Sequence, residues 1–295
     1  MELPDLSRIS IDPLPSHFTR ANITIDVLRL DKIHTVISGN KWFKLYKYLE
    51  IAEAEKKKRI ISFGGPWSNH IIAAAAAARL YGYASLGFIR GETSMEETAV
   101  LRQCREWGME LVFLERNEFD ASRIPDGLTS EDDMLIPMGG YGIAGMQGAS
   151  TILDHCNRET YSHICCATGT GTMMAGLLNS IRPGQEVFGY SAVKNDPELE
   201  KNIRRLLPGY ELSIHFDTDK RFGGFARYNG ELIQFMNDLY AASGIPTDIV
   251  YTAKLFYAVI NDAREGRFPE NSRILLIHSG GLTGNDSLKN GLLIW

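Results

Sequence analysis

Short apolar runs of strand length alternate with longer segments of helical pattern along most of this chain. Strands are predicted over residues 59–63, 83–89, 110–114, 163–167, 186–193 and 273–278. Helices are predicted over residues 70–81, 95–107, 172–180, 232–243 and 253–263. Such alternation indicates βαβ units, in which parallel strands form a sheet and helices cover its faces. The last strand, RILLIH, is apolar throughout, as buried parallel strands are. The sequence therefore predicts an α/β protein with open, twisted, mostly parallel sheets flanked by helices.

The chain is long enough for two such units. Its 295 residues correspond to about two domains of ordinary size. The predicted strands fall into two blocks. We therefore predict a smaller domain over residues 50–148 and a larger one that combines residues 1–49 with residues 149–295. The glycine-dense stretch at residues 139–148, GGYGIAGMQG, is predicted to be a hinge between them.

The composition excludes several classes of protein. Hydrophobic residues make up 44% and charged residues 23% of the chain, as in ordinary globular proteins. The formal net charge of -5 does not favour binding to nucleic acid. The longest apolar run, residues 71–78, is too short to cross a membrane, and the N-terminus has no signal-peptide pattern. The four cysteines form no CxxC pair and predict no metal site. We expect a cytoplasmic protein with reduced thiols that binds neither membranes nor nucleic acid.

The first candidate site residue is Lys41, in the segment SGNKWFKL. It follows a Gly-Asn turn at the start of a helical segment. Both the positive end of the helix dipole and burial lower the pKa of a lysine amine, which makes the amine able to form a Schiff base. By itself, however, a lysine at a helix start is more often solvated than reactive.

The second candidate is the segment GGPWSNH, which joins a predicted strand to a predicted helix. Ligands of open α/β sheets bind at the carboxyl ends of the strands. Ser68, Asn69 and His70 could therefore present a hydroxyl, an amide and helix N–H groups to a substrate carboxylate. The alternatives are that Ser68 only caps the helix and that His70 is a structural residue.

The segment TGTGT, at residues 168–172, is the clearest signal for a phosphate group. Its glycines let the backbone approach a ligand closely, and its hydroxyl and N–H groups suit phosphate oxygens. No Gly-Lys-Ser/Thr follows, so the segment is not a P-loop. The next glycine is Gly176, and no acidic residue ends the following strand, so the segment is also a poor dinucleotide fingerprint.

Two further positions complete the candidate set. Ser279 follows the last predicted strand, in the segment HSGG, where its hydroxyl could face a ring. The alternative for this segment is a tight turn. Tyr251 precedes a predicted helix and could equally be a core or capping residue.

Taken together and in this order, the motifs resemble the family of 1-aminocyclopropane-1-carboxylate deaminases and D-cysteine desulfhydrases. The matching pieces are SGNKWFKL, SFGGPWSNH, ATGTGTMMAGL, RFGGFARYNG, DIVYTAK and RFPENSRILLIHSGG. They extend over residues 31–281, which is nearly the whole chain. The resemblance implies pyridoxal 5'-phosphate as the cofactor, the fold type II that resembles tryptophan synthase β, and a homodimer.

The resemblance also implies which residues bind the cofactor. Lys41 would form the Schiff base with it, and Asn40 would also bind it. Asn69 would lie near the phenolic oxygen of the cofactor, and Ser279 near its pyridine nitrogen. The phosphate would be held by Thr168, Gly169, Thr170, Gly171 and Thr172.

A small amino acid is the implied substrate. Ser68, Asn69 and His70 would bind it, and Tyr251 would both contact it and take part in catalysis. The resemblance therefore implies α,β-elimination and deamination, with Lys41 taking a proton from Cα and a leaving group departing from Cβ. The products would be pyruvate, ammonia and that leaving group.

Two departures from the family pattern bear on the substrate. Leu276 stands where the cyclopropane-opening enzymes carry a tyrosine, which favours elimination from D-cysteine or a similar amino acid over opening of the ring. Residues 71–73, Ile-Ile-Ala, replace an arginine-glutamine pair, which leaves the identity of the substrate open. Deamination of the cyclopropane acid remains the alternative within this family.

Two functions of other classes also remain open. An NAD-dependent oxidoreductase could use the glycine-threonine segment, although the third glycine and the acidic residue of its fingerprint are missing. A non-catalytic phospholigand-binding protein could have kept the fold.

Overall fold

The computed structural model describes residues 2–20, 22–92, 94, 96–191, 197–209, 215–217 and 221–295. The strands in these ranges are β1 (Ile11–Pro13), β2 (Thr24–Arg29), β3 (Arg59–Gly64), β4 (Ala84–Arg90), β5 (Met109–Leu114), β6 (Asp133–Ile136), β7 (His163–Thr168), β8 (Glu186–Ser191), β9 (His215–Asp217) and β10 (Arg273–His278). The α-helices are α1 (Asn40–Ala54), α2 (Asn69–Tyr81), α3 (Ala99–Glu106), α4 (Arg116–Asp120), α5 (Ile143–Ser150), α6 (Thr172–Ser180), α7 (Glu198–Leu206), α8 (Gly230–Ser243) and α9 (Thr252–Glu265).

Two sheets organise these elements. Six strands form one sheet in the order β1-β2-β10-β7-β8-β9, and four form the other in the order β5-β4-β3-β6. Every pairing in the described residues is parallel except that of β1 with β2. Strand β10 lies between β2 and β7, and every residue of it after Arg273 is buried, which explains its continuous apolar run. The predicted fold class is confirmed.

Two predicted boundaries differ from the structure or reach beyond it. The predicted helix over residues 95–107 begins only at Ala99, because the hydroxyl of Thr98 accepts the N–H of Leu101 at 3.2 Å and caps the helix there. Met95 itself lies outside the described residues. Strand β8 ends at Ser191, and residues 192–193 of the predicted strand also lie outside the described residues.

Helix α1 packs into one hydrophobic core beside each of the two sheets. Phe43 lies in the core beside the six-stranded sheet, whereas Leu45 and Leu49 lie in the core beside the four-stranded sheet. The six-stranded sheet uses residues 11–29 and 163–278, and the four-stranded sheet uses residues 59–136. The predicted boundary between residues 49 and 50 falls inside α1, which packs into the cores beside both sheets. The domain boundaries proposed from the sequence therefore stay a prediction.

The glycine-dense stretch at residues 139–148 is only partly an irregular segment between elements. Residues 139–142 lie outside regular helix or strand, apart from a short 3-10 turn, but Ile143–Ser150 is helix α5, so the hinge predicted over residues 139–148 is wrong for its second half. A Cβ on Gly148 would lie 1.8 Å from the carbonyl oxygen of Phe43. The glycines of α5 therefore permit close packing of helices rather than bending.

Two kinds of feature are absent from the described residues. In those ranges no helix is both long and apolar enough to cross a membrane. The same ranges hold no group of three histidine, cysteine, aspartate or glutamate side chains arranged to bind a metal ion.

Candidate active site

Lys41 lies at the start of α1, against the segment that follows β10. The N–H of Asn40 donates to the carbonyl oxygen of Ser279 at 3.1 Å. Gly39 has φ +59°, and a Cβ there would lie 2.0 Å from the same oxygen, so only glycine allows this approach. The close contact brings the start of α1, where Lys41 lies, against Ser279.

The amine of Lys41 is held and partly desolvated. Its Nζ donates to Oδ1 of Asn40 at 2.7 Å. Burial lowers the pKa of Lys41 to about 8, and the carboxylate of Asp248 opposes this shift. At pH 7 about a tenth of the side chains would then carry a free amine, against about one in three thousand for an unperturbed lysine. Lys41 is therefore suited to react with an aldehyde or to take a proton.

Lys44 is a second lysine of the candidate site, and the sequence analysis missed it. It lies one helical turn after Lys41 and is buried. Burial and the charge of Lys41 lower its pKa to about 7, while Cys166 opposes the shift. No carboxylate pairs with it in the described part of the chain. The available signal was the spacing of three residues, which puts both amines on one helix face, together with the apolar neighbours Phe43 and Leu45.

The segment between β7 and α6 has the features of a phosphate site. The hydroxyl of Thr168 is buried and has no hydrogen-bond partner among the described residues. The hydroxyls of Thr170 and Thr172 lie 2.8 Å apart. At Gly171, which precedes α6, no side chain caps the first N–H groups of the helix. Free N–H groups and hydroxyls at a helix N-terminus fit a phosphate.

Gly139 and Gly140 connect the phosphate segment to the lysines. A Cβ on Gly139 would lie 2.7 Å from Cγ2 of Thr170. A Cβ on Gly140 would lie 2.9 Å from Cβ of Lys44 and 3.6 Å from Cε1 of His70. The two glycines thus let Lys44, His70 and the phosphate segment meet at one place.

Ser68, Asn69 and His70 occupy the N-terminus of α2. The hydroxyl of Ser68 accepts the N–H groups of His70 at 3.2 Å and Ile71 at 3.3 Å, so it caps the helix, as one alternative predicted. The amide of Asn69 donates to the carbonyl of Gly281 at 3.2 Å and also contacts Thr283. Asn69 therefore joins α2 to the segment that carries Ser279, whereas His70 is buried beneath it.

Tyr251 lies against the phosphate segment and is positioned by a buried carboxylate. A Cβ on Gly169 would lie 3.5 Å from the hydroxyl of Tyr251. Burial and the charge of Asp248 raise the pKa of the Tyr251 phenol well above its ordinary value. The fully buried carboxylate of Asp248 accepts the N–H groups of Val250, Tyr251 and Thr252 at 2.8 to 3.1 Å. The sequence analysis also missed Asp248, although aspartate is a common residue before a helix.

Ser279 is buried at the carboxyl end of β10. The preceding His278 fixes the strand end, because its Nε2 lies 2.6 Å from the carbonyl oxygen of Pro246. Ser279 thus contacts Asn40, which precedes Lys41, and lies two residues before Gly281, which accepts a hydrogen bond from Asn69. All the predicted segments therefore meet at the carboxyl ends of β3, β7 and β10.

The comparison with protein families decides what this arrangement is. Residues 21–280 match the model described as pyridoxal-phosphate dependent enzyme. The chain belongs to this family. The prediction of a pyridoxal-phosphate enzyme is therefore confirmed, and the NAD-dependent alternative is not supported.

Relatives of this pyridoxal-phosphate enzyme carry the two names that the motifs predicted. A Thermotoga maritima protein named, provisionally, 1-aminocyclopropane-1-carboxylate deaminase is 28% identical, with 94% of this chain and 96% of that protein covered. D-cysteine desulfhydrase of Salmonella newport is 24% identical over 87% of this chain and 86% of its own. The crystal structure of an ACC deaminase homologue has a TM-score of 0.79 and 26% identity, and covers 96% of this chain and 94% of that one.

The residues of this pyridoxal-phosphate enzyme fit the cofactor. Lys41 offers an amine of lowered pKa for the aldehyde, and residues 168–172 offer an unpartnered hydroxyl and uncapped N–H groups for the phosphate. Ser279 lies against the start of α1, and its hydroxyl would serve the cofactor ring. The individual residue assignments stay predictions.

Gly171→Ala tests how tightly the phosphate segment packs against Ile203 of α7. Gly171 has φ +83°, and a Cβ there would lie 2.6 Å from Cγ1 of Ile203. We expect the substitution to lower the free energy of unfolding by about 2–4 kcal/mol, since strain and the clash add. Gly184→Ala is the control, because Gly184 has φ +86° but a Cβ there would meet no atom within 4 Å. It should cost about 1 kcal/mol. Urea unfolding measures both variants. If Gly171→Ala and Gly184→Ala lowered the free energy of unfolding by the same amount, the contact between Gly171 and Ile203 would not be tight.

Proposed function

We propose that this enzyme eliminates a leaving group from Cβ of a small amino acid, with D-cysteine or a similar compound as the substrate, and releases pyruvate and ammonia. The observation that carries the proposal is Lys41, whose pKa is lowered to about 8 at the junction of three strand ends. When bound, the cofactor supplies an electron sink for the carbanion at Cα. The names of the relatives support elimination and do not distinguish among substrates.

Lys41 serves in this proposal as the group that accepts the Cα proton. Asn40 holds the amine at 2.7 Å and so limits where it can point. The low pKa keeps a useful fraction of the side chain unprotonated near neutral pH, which general base catalysis needs. Asp248 raises the pKa of Lys41 from the value that burial alone would give, and so stabilises the ammonium after proton transfer.

The substrate carboxylate is proposed to bind at the N-terminus of α2. The hydroxyl of Ser68 accepts two backbone N–H groups, so its own hydrogen remains available to donate to a carboxylate oxygen. Asn69 uses one amide hydrogen on Gly281 and has a second available. The positive end of the α2 dipole adds to the attraction.

Lys44 is proposed as the positive charge for the cofactor phosphate. It is buried and has no carboxylate partner in the described residues. Its side chain lies against Gly140, and the adjacent Gly139 lies against Thr170 of the phosphate segment. A buried cation without a partner is costly, and a phosphate dianion would compensate its charge.

Ser279 is proposed to keep the pyridine nitrogen uncharged, since a hydroxyl stabilises the protonated form less than a carboxylate does. We expect Ser279→Asp to lower kcat for pyruvate release by about tenfold while the cofactor stays bound. Ser279→Thr, which keeps the hydroxyl, should retain most of the activity. The measurement is kcat together with the visible absorbance of the holoenzyme. Unchanged kcat in Ser279→Asp would contradict this role.

Leu276 supports the choice of a thiol substrate over the cyclopropane acid. Its side chain is fully buried in the core that contains Cys165 and Phe256, and it brings no hydroxyl to the site. The decisive experiment compares keto-acid release from both enantiomers of cysteine, serine, chloroalanine and diaminopropionate, and from the cyclopropane acid. Release of 2-oxobutanoate from the cyclopropane acid, with none from D-cysteine, would overturn the proposed substrate.

The homodimer implied by the resemblance is retained as a proposal. Sedimentation equilibrium of the holoenzyme tests it, with a mass of twice 32.9 kDa as the expected result. A single species of 32.9 kDa would contradict it.

A further inference from the structure

The hydrogen bonds around His70 determine which ring nitrogen carries its proton. The hydroxyl of Ser62 donates to the carbonyl oxygen of Ile136 at 2.8 Å. Nε2 of His70 lies 2.9 Å from the same hydroxyl. Ser62 has one hydrogen, which Ile136 receives, so Nε2 must carry a proton and donate it to Ser62.

The imidazole of His70 is neutral. Burial, and the charges of Lys41 and Lys44, lower its pKa to about 3. A neutral ring carries a single proton, and the contact with Ser62 places that proton on Nε2. Nδ1 is therefore a hydrogen-bond acceptor at every pH at which the enzyme would work.

This acceptor has no partner in the part of the chain that the structure describes. His70 is 3% exposed, and its Nδ1 is buried without a hydrogen bond among those residues. An unpartnered buried acceptor destabilises a fold, and such groups are concentrated at functional sites. The charged groups that act on His70 are Lys41 and Lys44, both on α1, and a Cβ on Gly140 would contact both the Lys44 side chain and Cε1 of His70. The charged donors whose fields reach the ring are thus the amines of Lys41 and Lys44.

We propose that Ser62 and His70 form a positioning pair, in which Ser62 fixes the tautomer and Nδ1 of His70 accepts a hydrogen from the amine of Lys41. In this structure the amine donates to Oδ1 of Asn40 at 2.7 Å, and the pair would offer it a second acceptor and favour its protonated form. A lone pair on Nδ1 repels a carboxylate, so this role replaces the substrate contact predicted for His70. The inference rests on the proposed function, because it assigns Lys41 the proton transfer.

The tautomer can be observed without any turnover. In holoenzyme labelled with ¹⁵N-histidine, long-range proton–nitrogen correlations distinguish a protonated Nε2 from a protonated Nδ1, and His70→Asn identifies the signal. The expected result is a proton on Nε2 from pH 6 to 9. A proton on Nδ1 in the wild-type protein would overturn the inference and would leave the proposed reaction unaffected.

The kinetic test separates positioning from binding of the carboxylate. We expect Ser62→Ala and His70→Phe each to lower kcat by about tenfold with little change in KM. The acid limb of the pH profile of kcat should also move to lower pH, because Lys41 loses an acceptor that stabilises its ammonium. His70→Asn, which can place an oxygen near the position of Nδ1, should restore part of kcat.

The matched control is Ser85→Ala, a buried serine on β4 of the same sheet. It should change neither kcat nor the pH profile, and melting temperatures of all variants show whether each one folds. A rise in KM with an unmoved acid limb in His70→Phe would overturn the inference in favour of carboxylate binding. Absence of keto-acid release by the wild-type enzyme would instead count against the proposed function.

Discussion

Lys41→Ala is expected to abolish the visible absorbance of lysine-bound cofactor and to lower kcat at least about a thousandfold. The amine of Lys41 is both the proposed attachment point of the cofactor and the proposed proton acceptor. Lys44 lies one turn away, but we assign its amine to the phosphate. Among the described residues no second amine is therefore placed to take over both roles. Absorbance spectra and pyruvate release from the purified variant measure the effect.

Lys47→Ala is the matched control for this experiment. Lys47 lies on the same helix, and its amine pairs with Glu50 at 2.7 Å on the surface. The control should keep the spectrum and activity of the wild-type enzyme. If Lys41→Ala kept the absorbance while Lys47→Ala behaved as wild type, the aldehyde would be bound elsewhere and the assignment of Lys41 would be wrong.

The fold could be predicted because its signals are local. Strand β10 is a continuous apolar run, and helices such as α2 and α6 begin after serine or glycine at positions that sequence patterns favour. The start of α3 was missed because Thr98, rather than the apolar periodicity, decides it. The hinge was misassigned because glycine in a sequence indicates either a turn or a close contact. Only the packing of Gly148 on Phe43 distinguishes the two.

The candidate site could be predicted only where its residues lie in motifs. The phosphate segment and Ser279 lie at strand ends, and Lys41 lies at a helix start. Parallel topology then brings these positions together. Lys44 and Asp248 were missed because their importance arises from burial. A lysine in a helix is ordinarily solvated, and the sequence does not show that Gly140 lies against Lys44. Similarly, the tautomer of His70 depends on the carbonyl of Ile136, which lies on β6, next to β3 in the sheet but 74 residues from Ser62 along the chain, so no local pattern reveals it.

Lys44→Met should have opposite effects on cofactor affinity and on the stability of the cofactor-free protein. We expect the dissociation constant of the cofactor to rise about a hundredfold, because the phosphate loses its buried counter-charge. Without cofactor, the variant should be about 2 kcal/mol more stable at pH 7, since methionine fills similar space without burying an ammonium. Equilibrium dialysis and urea unfolding measure the two effects.

The pH dependence of stability provides the sharper test. Burial lowers the pKa of Lys44 to about 7 in the folded protein, below its ordinary value of 10.5. Between these values the unfolded chain binds more protons than the folded one, so the free energy of unfolding rises with pH across this window. In Lys44→Met that rise should be smaller, leaving mainly the contributions of Lys41 and Lys254, whose pKa values burial also lowers, each to about 8. Lys47→Met, which changes a partly exposed lysine paired with Glu50, should keep the wild-type slope. If Lys44→Met and the wild-type protein had the same slope from pH 7 to pH 9, Lys44 would carry a normal charge in the folded protein, and its proposed pairing with phosphate would lose its basis.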